Sequence, residues 1–383
     1  MNNRVLQTAS VASMIDLFNK DNLLVLEELG AKIDVCSNFQ NGSITSQERV
    51  NEYRQELTDR GIEVIDLPCP RSIGKIGDIV RSYKLVKNLA EERHYRIVHC
   101  HSPIGGVIAR LACRKARKEG TKVVYTAHGF HFFNGSSLAS WLIFYPIERL
   151  CTWLTDVLIV INQEDYKRAK AWNTCRVELV NGIGVHTQEF LNEKVDRKAY
   201  REELGFGDDD FVFMSTGQVS VRKNHEVIIR AMAEIKNPKV KYLLVGFGEL
   251  EEKHKALVKE LGIEDRVVFA GYRGDVKRLL HAVDGYAFPS LQEGLPVALM
   301  EAMAVGLPIV CSKIRGNVDL IANGKGGYLY DCHDVKGFAD GMEKIVAGEG
   351  SEMGKINIET MKHFDIEAVN NQMRELYGEL LKD

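Results

Sequence analysis

Short apolar runs rich in Val, Ile and Leu recur along this chain, separated by longer stretches with helical spacing. Residues 4–7, 32–36, 63–67, 97–100, 122–126 and 156–161 read as strands, and 23–29, 76–92 and 105–118 as helices. After a pause over residues 181–207 the rhythm restarts. Strands are expected at 211–216, 242–245, 267–270, 285–288, 308–311 and 327–330. Helices are expected at 225–233, 251–261, 276–282 and 296–305. Several strand runs are almost wholly apolar, the pattern of a sheet covered on both faces. Such βα alternation predicts an α/β protein with two parallel, doubly wound domains. The expected division is 1–185, 186–362 and a terminal segment 363–383 that is helical by period.

Composition narrows the class. Hydrophobic residues make up 45% of 383, and only eight prolines occur, so packed cores rather than disorder are expected. The net charge of -3 is unevenly spread: residues 60–122 hold 14 basic and six acidic side chains. That excess suits an anionic neighbour, a phosphate or a membrane surface, or a solvated basic helix face. Eight cysteines show no C-x-x-C spacing, as in reducing compartments. The first ten residues lack a signal-peptide apolar run, and no stretch nears the roughly 18–20 apolar residues of a membrane span. A cytoplasmic chain is expected, with peripheral membrane contact left open.

Two stretches carry candidate chemistry. In the run from Leu291 to Glu301, Glu293 and Gly294 precede Pro296, which is placed at the first helical position, and Gly306 and Pro308 close the helix. Gly294, Leu295 and Val297 then offer backbone N–H groups at a helix N-terminus, an anion site suited to a diphosphate. Glu293 and Glu301 would repel phosphate but suit sugar and ribose hydroxyls. The alternative is a plain helix with an acidic cap. The second stretch, Gly217-Gln218-Val219-Ser220-Val221-Arg222-Lys223-Asn224, follows the first strand of the second domain. Ligands bind at that edge in open α/β folds, and an ordinary basic loop is the alternative.

Together these stretches resemble glycosyltransferase family 4. The resemblance spans nearly the whole chain and is densest over 211–335. Its Glu–seven residues–Glu pattern falls on Glu293 and Glu301, and its donor-phosphate lysine on Lys223. Gln218 stands where the family usually has arginine, as in a subgroup that makes exopolysaccharide and capsule. The resemblance implies a GT-B fold, two Rossmann-like domains facing a cleft, with the terminal helix packing back on the first. Gly246 would border the nucleotide, while Tyr272 and Arg273 lie in the loop that receives the base. His128 would face the donor sugar. His101, Ser102, Gly105 and His131 would lie on the acceptor side. It implies a retaining, metal-independent transferase moving a hexose or N-acetylhexosamine from a nucleotide diphosphate, expected to be UDP, to a polyprenyl-diphosphate-linked saccharide. That places the chain at the inner face of the membrane, in surface polysaccharide synthesis. A nucleotide-sugar 2-epimerase and a non-catalytic nucleotide-sugar binder are the rival readings.

The remaining features carry less. His99 and His101 share a strand face without a third metal ligand, and Asp208-Asp209-Asp210 reads as a solvated turn. No cofactor, metal or nucleic-acid partner is expected. After the first strand, Thr8-Ala9-Ser10-Val11-Ala12-Ser13 replaces a glycine-rich dinucleotide loop. The aromatic run 141–154 reads as a buried helix, or as one lying against lipid. In helix 76–89, Ile76, Ile79, Val80, Tyr83, Val86 and Leu89 are expected to form the buried stripe, leaving Arg81, Lys84 and Lys87 outside.

Overall fold

The computed structural model describes residues 3–72 and 74–382, which fall into two units. The first is Met1–Gly184 with Glu367–Asp383, the second Val185–Ile366. In the first, seven strands form one parallel sheet: β1 (Arg4–Thr8), β2 (Lys32–Ser37), β3 (Glu63–Asp66), β4 (Ile97–His101), β5 (Lys122–Ala127), β6 (Val157–Val160) and β7 (Arg176–Leu179). Their order is β3-β2-β1-β4-β5-β6-β7. The second unit has β8 (Phe211–Thr216), β9 (Val240–Val245), β10 (Val267–Gly271), β11 (Gly285–Phe288), β12 (Ile309–Ser312) and β13 (Gly327–Tyr330). These are also parallel, in the order β10-β9-β8-β11-β12-β13. Strand order reverses between β1 and β4, and again between β8 and β11. Loops leaving those strands diverge, and open α/β sheets bind ligands at such a point.

Several elements depart from the sequence pattern. No apolar run marks β7, an edge strand whose residues alternate polar and apolar. The helix expected over 105–118 is two, Pro103–Ala112 and Arg114–Lys118, because the chain turns at Cys113 and keeps Cys113 and Ala116 buried. Pro296 caps its helix in an extended conformation (φ −80°, ψ 114°), and the helix runs Val297–Ala304. The terminal helix runs Ile366–Lys382, and its Val369, Met373, Leu376 and Tyr377 join the core of the first unit beside Val5 and Val35.

Two helices of the first unit expose apolar surface. In Ile76–Arg93 the buried side is Ser82, Val86, Leu89 and Ala90, so Ile76, Val80 and Tyr83 lie outside. Small Ser82 and Ala90 let this face meet the helix Pro103–Ala112, and the apolar period alone missed that. The helix Leu138–Cys151 packs Trp141, Phe144 and Tyr145 partly buried against the core and also carries an apolar outer face. Its buried residues are Glu148 and Cys151, while Leu138, Leu142 and Leu150 are 74%, 70% and 68% exposed, and Trp153 just beyond it 67%. Glu148 extends the inner face as half of a buried ion pair. Arg110 donates to Glu148 at 2.9 Å and to the Gly106 carbonyl at 3.0 Å, and Tyr125 donates to Glu148 at 3.2 Å. Burial works against the Arg110 charge, but Glu148 and Tyr125 hold its pKa above the ordinary arginine range. The expected burial of this segment therefore does not hold for its outer face.

Candidate active site

In the second unit the loops after β8, β9 and β11 are drawn together by glycine. Gly246 has φ +139°, and a Cβ there would stand 1.9 Å from the Gly217 carbonyl oxygen. Gly217 itself has φ +136°, so neither position accepts a side chain without strain. Past Gly217 the chain makes one 3-10 turn, Val221–Lys223, and then Asn224 adopts the left-handed conformation (φ 55°, ψ 34°). Asparagine tolerates that region. Its amide donates to the carbonyls of Pro289 (3.1 Å) and Cys332 (2.7 Å), which pins the turn to the loops after β11 and β13.

The turn delivers two cations to one carboxylate. Lys223 Nζ and Arg222 Nη1 each lie 2.9 Å from Glu293 Oε1. Arg315 holds the Glu293 carbonyl at 3.1 Å. Burial pulls the Lys223 pKa below the ordinary lysine range, and Glu293 opposes that fall. Beyond Glu293, Pro296 accepts the first helical bond from Met300 (3.2 Å), leaving Val297, Ala298 and Leu299 as the first-turn N–H groups. Gly294 and Leu295 form the approach to that turn. Gly316 packs so closely that a Cβ there would meet the Gly294 carbonyl at 2.5 Å.

Glu301 lies on the second turn of this helix. Burial pushes its pKa up to about 7, with Lys277 opposing. A carboxyl raised in this way is favoured neutral by the fold, so the fold's preference is complete below the free-carboxyl pKa and lost as pH rises through about 7. If it accepts ligand hydroxyls as a carboxylate, affinity for that ligand should fall as pH drops below about 7, by up to about tenfold per unit. Calorimetric titration between pH 5.5 and 8 checks this. Glu301→Gln should flatten the profile, and an unchanged profile in that variant removes Glu301 from the hydroxyl contact.

The other expected donor-side positions are more exposed. Gln218 points into solvent. Tyr272 and Phe247 are exposed, with ring centres 6.3 Å apart in an edge-on arrangement. Arg273 is held by Asp275 (2.8 and 2.7 Å) and by Tyr200 (3.0 Å).

The first unit gathers histidines at the ends of β1, β4 and β5. His101 Nδ1 lies 3.4 Å from His128 Nε2, and the His101 and His99 rings are 4.2 Å apart. Asp165 fixes the loop carrying His128 by accepting from Phe130 N at 2.9 Å. Ser102 (φ 66°, ψ 148°) is held by Ser10 across 2.7 Å, and Gly105 N donates to Ser10 at 3.1 Å. His131 stacks on Phe144, centres 4.8 Å apart, away from the other three. Among the described residues, no group of three His, Cys, Asp or Glu side chains gathers for a metal. Asp208 pairs with Lys198 (3.3 Å), and Asp210 caps Gly207 N (2.8 Å). Sequence reasoning missed Gln7, Ser10, Asn224 and Tyr377. Gln7 and Tyr377 had one signal, a polar group inside an otherwise apolar face.

Sequence comparison places the chain among known proteins. The profile for glycosyltransferase family 4 matches residues 24–191, and that for glycosyl transferases group 1 matches 196–363. EpsD of Bacillus subtilis (strain 168), named as a glycosyltransferase, is 37% identical over 268 residues, covering 69% of this chain and 70% of EpsD. The Escherichia coli UDP-Gal:alpha-D-GlcNAc-diphosphoundecaprenol alpha-1,3-galactosyltransferase is 30% identical over 284 residues, 72% of each chain. In three dimensions, HepE of Anabaena in complex with UDP superposes with a TM-score of 0.77 at 20% identity, covering 97% of this chain and 99% of HepE. That last likeness is one of fold.

Proposed function

This chain belongs to glycosyltransferase family 4, with the group 1 glycosyl transferase domain and the GT-B type of fold, and on that premise we propose how it acts. It moves a hexose or N-acetylhexosamine from a UDP-linked donor to a polyprenyl-diphosphate-linked saccharide, with retention, in surface polysaccharide synthesis. The observation that carries the reading is the Lys223–Glu293 pair beside the helix start at Val297. In this reading the donor diphosphate lies on the first-turn N–H groups and takes Lys223 from Glu293. Lys223 and the amides then stabilise charge on the leaving diphosphate. Glu293, released, accepts from hydroxyls of the donor sugar, Glu301 from those of the ribose, and His128 contacts the sugar. The leaving phosphate assists the incoming hydroxyl on the same face, which retains configuration. Proton NMR of the product anomer tests retention, and inversion would overturn it.

No resident metal enters this scheme, because a lysine and helix amides supply the positive field. Excess EDTA should leave the initial rate unchanged. A loss restored by Mg²⁺ or Mn²⁺ would contradict it.

A lipid-linked acceptor requires approach to a membrane, and no described helix is long and apolar enough to cross one. The support is the outer face of the first unit. Leu138, Leu142, Leu150 and Trp153 lie exposed, with basic Arg114, Lys115, Lys118 and Arg149 also at the surface. On the helix Ile76–Arg93, exposed Ile76, Val80 and Tyr83 accompany Arg81 and Lys84. Apolar side chains with cations suit the cytoplasmic face of an anionic bilayer, at ~1 kcal/mol per cation. The protein should sediment with phosphatidylglycerol vesicles at low salt and be largely released at high salt. The triple variant Leu142→Glu, Leu150→Glu, Trp153→Glu should stay in the supernatant while still hydrolysing donor. Equal partitioning to neutral and anionic vesicles would contradict the electrostatic part.

A further inference from the structure

His128 ends a chain of buried polar groups that lies wholly within the first unit. Gln7, on β1, sits at its centre. Its Oε1 lies 3.1 Å from His101 Nε2, and its Nε2 lies 3.2 Å from the Tyr377 hydroxyl and 3.5 Å from His99 Nδ1. The Tyr377 hydroxyl is 2.6 Å from His99 Nδ1, and His99 Nε2 is 2.7 Å from the Thr126 hydroxyl. The far end of the other arm is the 3.4 Å contact between His101 Nδ1 and His128 Nε2.

Proton accounting gives this chain a direction. Burial lowers the pKa of His99 to about 3, of His101 well below its ordinary value, and of His128 to about 4, so all three rings are neutral near pH 7. A neutral imidazole has one donor and one acceptor. The Gln7 oxygen can only accept, so His101 carries its proton on Nε2. His101 Nδ1 is then bare and accepts from His128 Nε2. On the other arm the Gln7 amide N–H donates to Tyr377, Tyr377 donates to His99 Nδ1, and His99 Nε2 donates to Thr126. Every contact of the chain then joins one donor to one acceptor, with the second Gln7 N–H and the Thr126 hydroxyl proton outside it. Reversing the Gln7 amide would invert every one of these protons.

We propose that Gln7 is a positioning residue that locks His128 as the Nε2–H tautomer, so that His128 presents a bare Nδ1 to the substrate. Its catalytic meaning rests on the reading of His128 as the sugar contact. A bare Nδ1 accepts from a sugar hydroxyl, whereas the opposite tautomer would present a second donor to it. Tyr377 brings the terminal helix into this arrangement, giving the helix a part in the site beyond filling the core.

The test is a two-bond proton–nitrogen correlation spectrum of the full chain labelled with ¹⁵N-histidine, with His128 assigned by its loss in His128→Asn. The expected wild-type spectrum shows His128 protonated on Nε2 alone. Gln7→Met should mix the two tautomers and lower kcat for donor hydrolysis by roughly tenfold, the effect of one misdirected hydrogen bond. Gln7→Glu keeps an acceptor toward His101 and should retain the tautomer and most of kcat, a rescue that a purely structural role would not predict. A wild-type His128 protonated on Nδ1, or a Gln7→Met variant with tautomer and kcat unchanged, overturns the proposal. If Gln7→Met does not fold, the wild-type spectrum still decides the assignment. A His128→Ala variant with full activity would remove the sugar contact, and that failure is distinct from a failure of the tautomer.

Discussion

Replacing Lys223 with alanine should lower kcat/KM for a UDP-sugar donor by roughly ten- to 150-fold, the equivalent of ~1.5–3 kcal/mol for a charge-assisted phosphate contact. The fold should tolerate the change. Glu293 Oε1 keeps Arg222 at 2.9 Å, so no carboxylate is left without a cation, and the unfolding temperature should move little. Loss of activity at unchanged stability separates a ligand contact from a structural ion pair. Steady-state kinetics and thermal unfolding on the same preparation make the comparison. If kcat/KM stays within twofold, the diphosphate does not use Lys223.

The largest stability effect should come from Arg110. Arg110→Met leaves Glu148 buried with only the Tyr125 hydroxyl as a partner, and an uncompensated buried charge costs ~3–5 kcal/mol. The double variant Arg110→Met, Glu148→Leu removes both charges and should recover most of that loss, since apolar replacement of a buried pair is often neutral or stabilising. Urea unfolding of the intact chain, followed by tryptophan fluorescence, reports this half directly because Trp141, Trp153 and Trp172 all lie in the first unit. A single variant as stable as wild type would mean that the pair does not anchor this helix. The double variant also asks whether vesicle binding depends on Glu148 keeping the Leu142 and Leu150 face outward.

Much of the fold was legible because parallel strands buried on both faces write themselves as Val and Ile runs. Every strand but β7 was expected from the sequence, and β7 was missed because its short Arg-Val-Glu-Leu segment alternates polar and apolar residues. The family was legible through a resemblance: its Glu–seven residues–Glu pattern falls on Glu293 and Glu301, and its donor-phosphate lysine on Lys223. What spacing could not give was partnership. That Glu293 takes both Lys223 and Arg222 depends on Asn224 turning left-handed and bonding to two distant carbonyls. The Gln7 chain was hidden for the same reason, its members being separated by up to 370 residues. The helix Leu138–Cys151 misled because it is apolar on both faces: Trp141, Phe144 and Tyr145 pack inward, while Leu138, Leu142 and Leu150 face out.

The most direct measurement follows UDP release from a panel of UDP-sugars, with and without a polyprenyl-diphosphate-linked N-acetylhexosamine in anionic vesicles. The account predicts that one donor is consumed, that the acceptor accelerates UDP release and gains one sugar in its mass, and that Lys223→Ala abolishes most of both. Tight donor binding without turnover, or acceptor-independent conversion of one UDP-sugar into another, would contradict it.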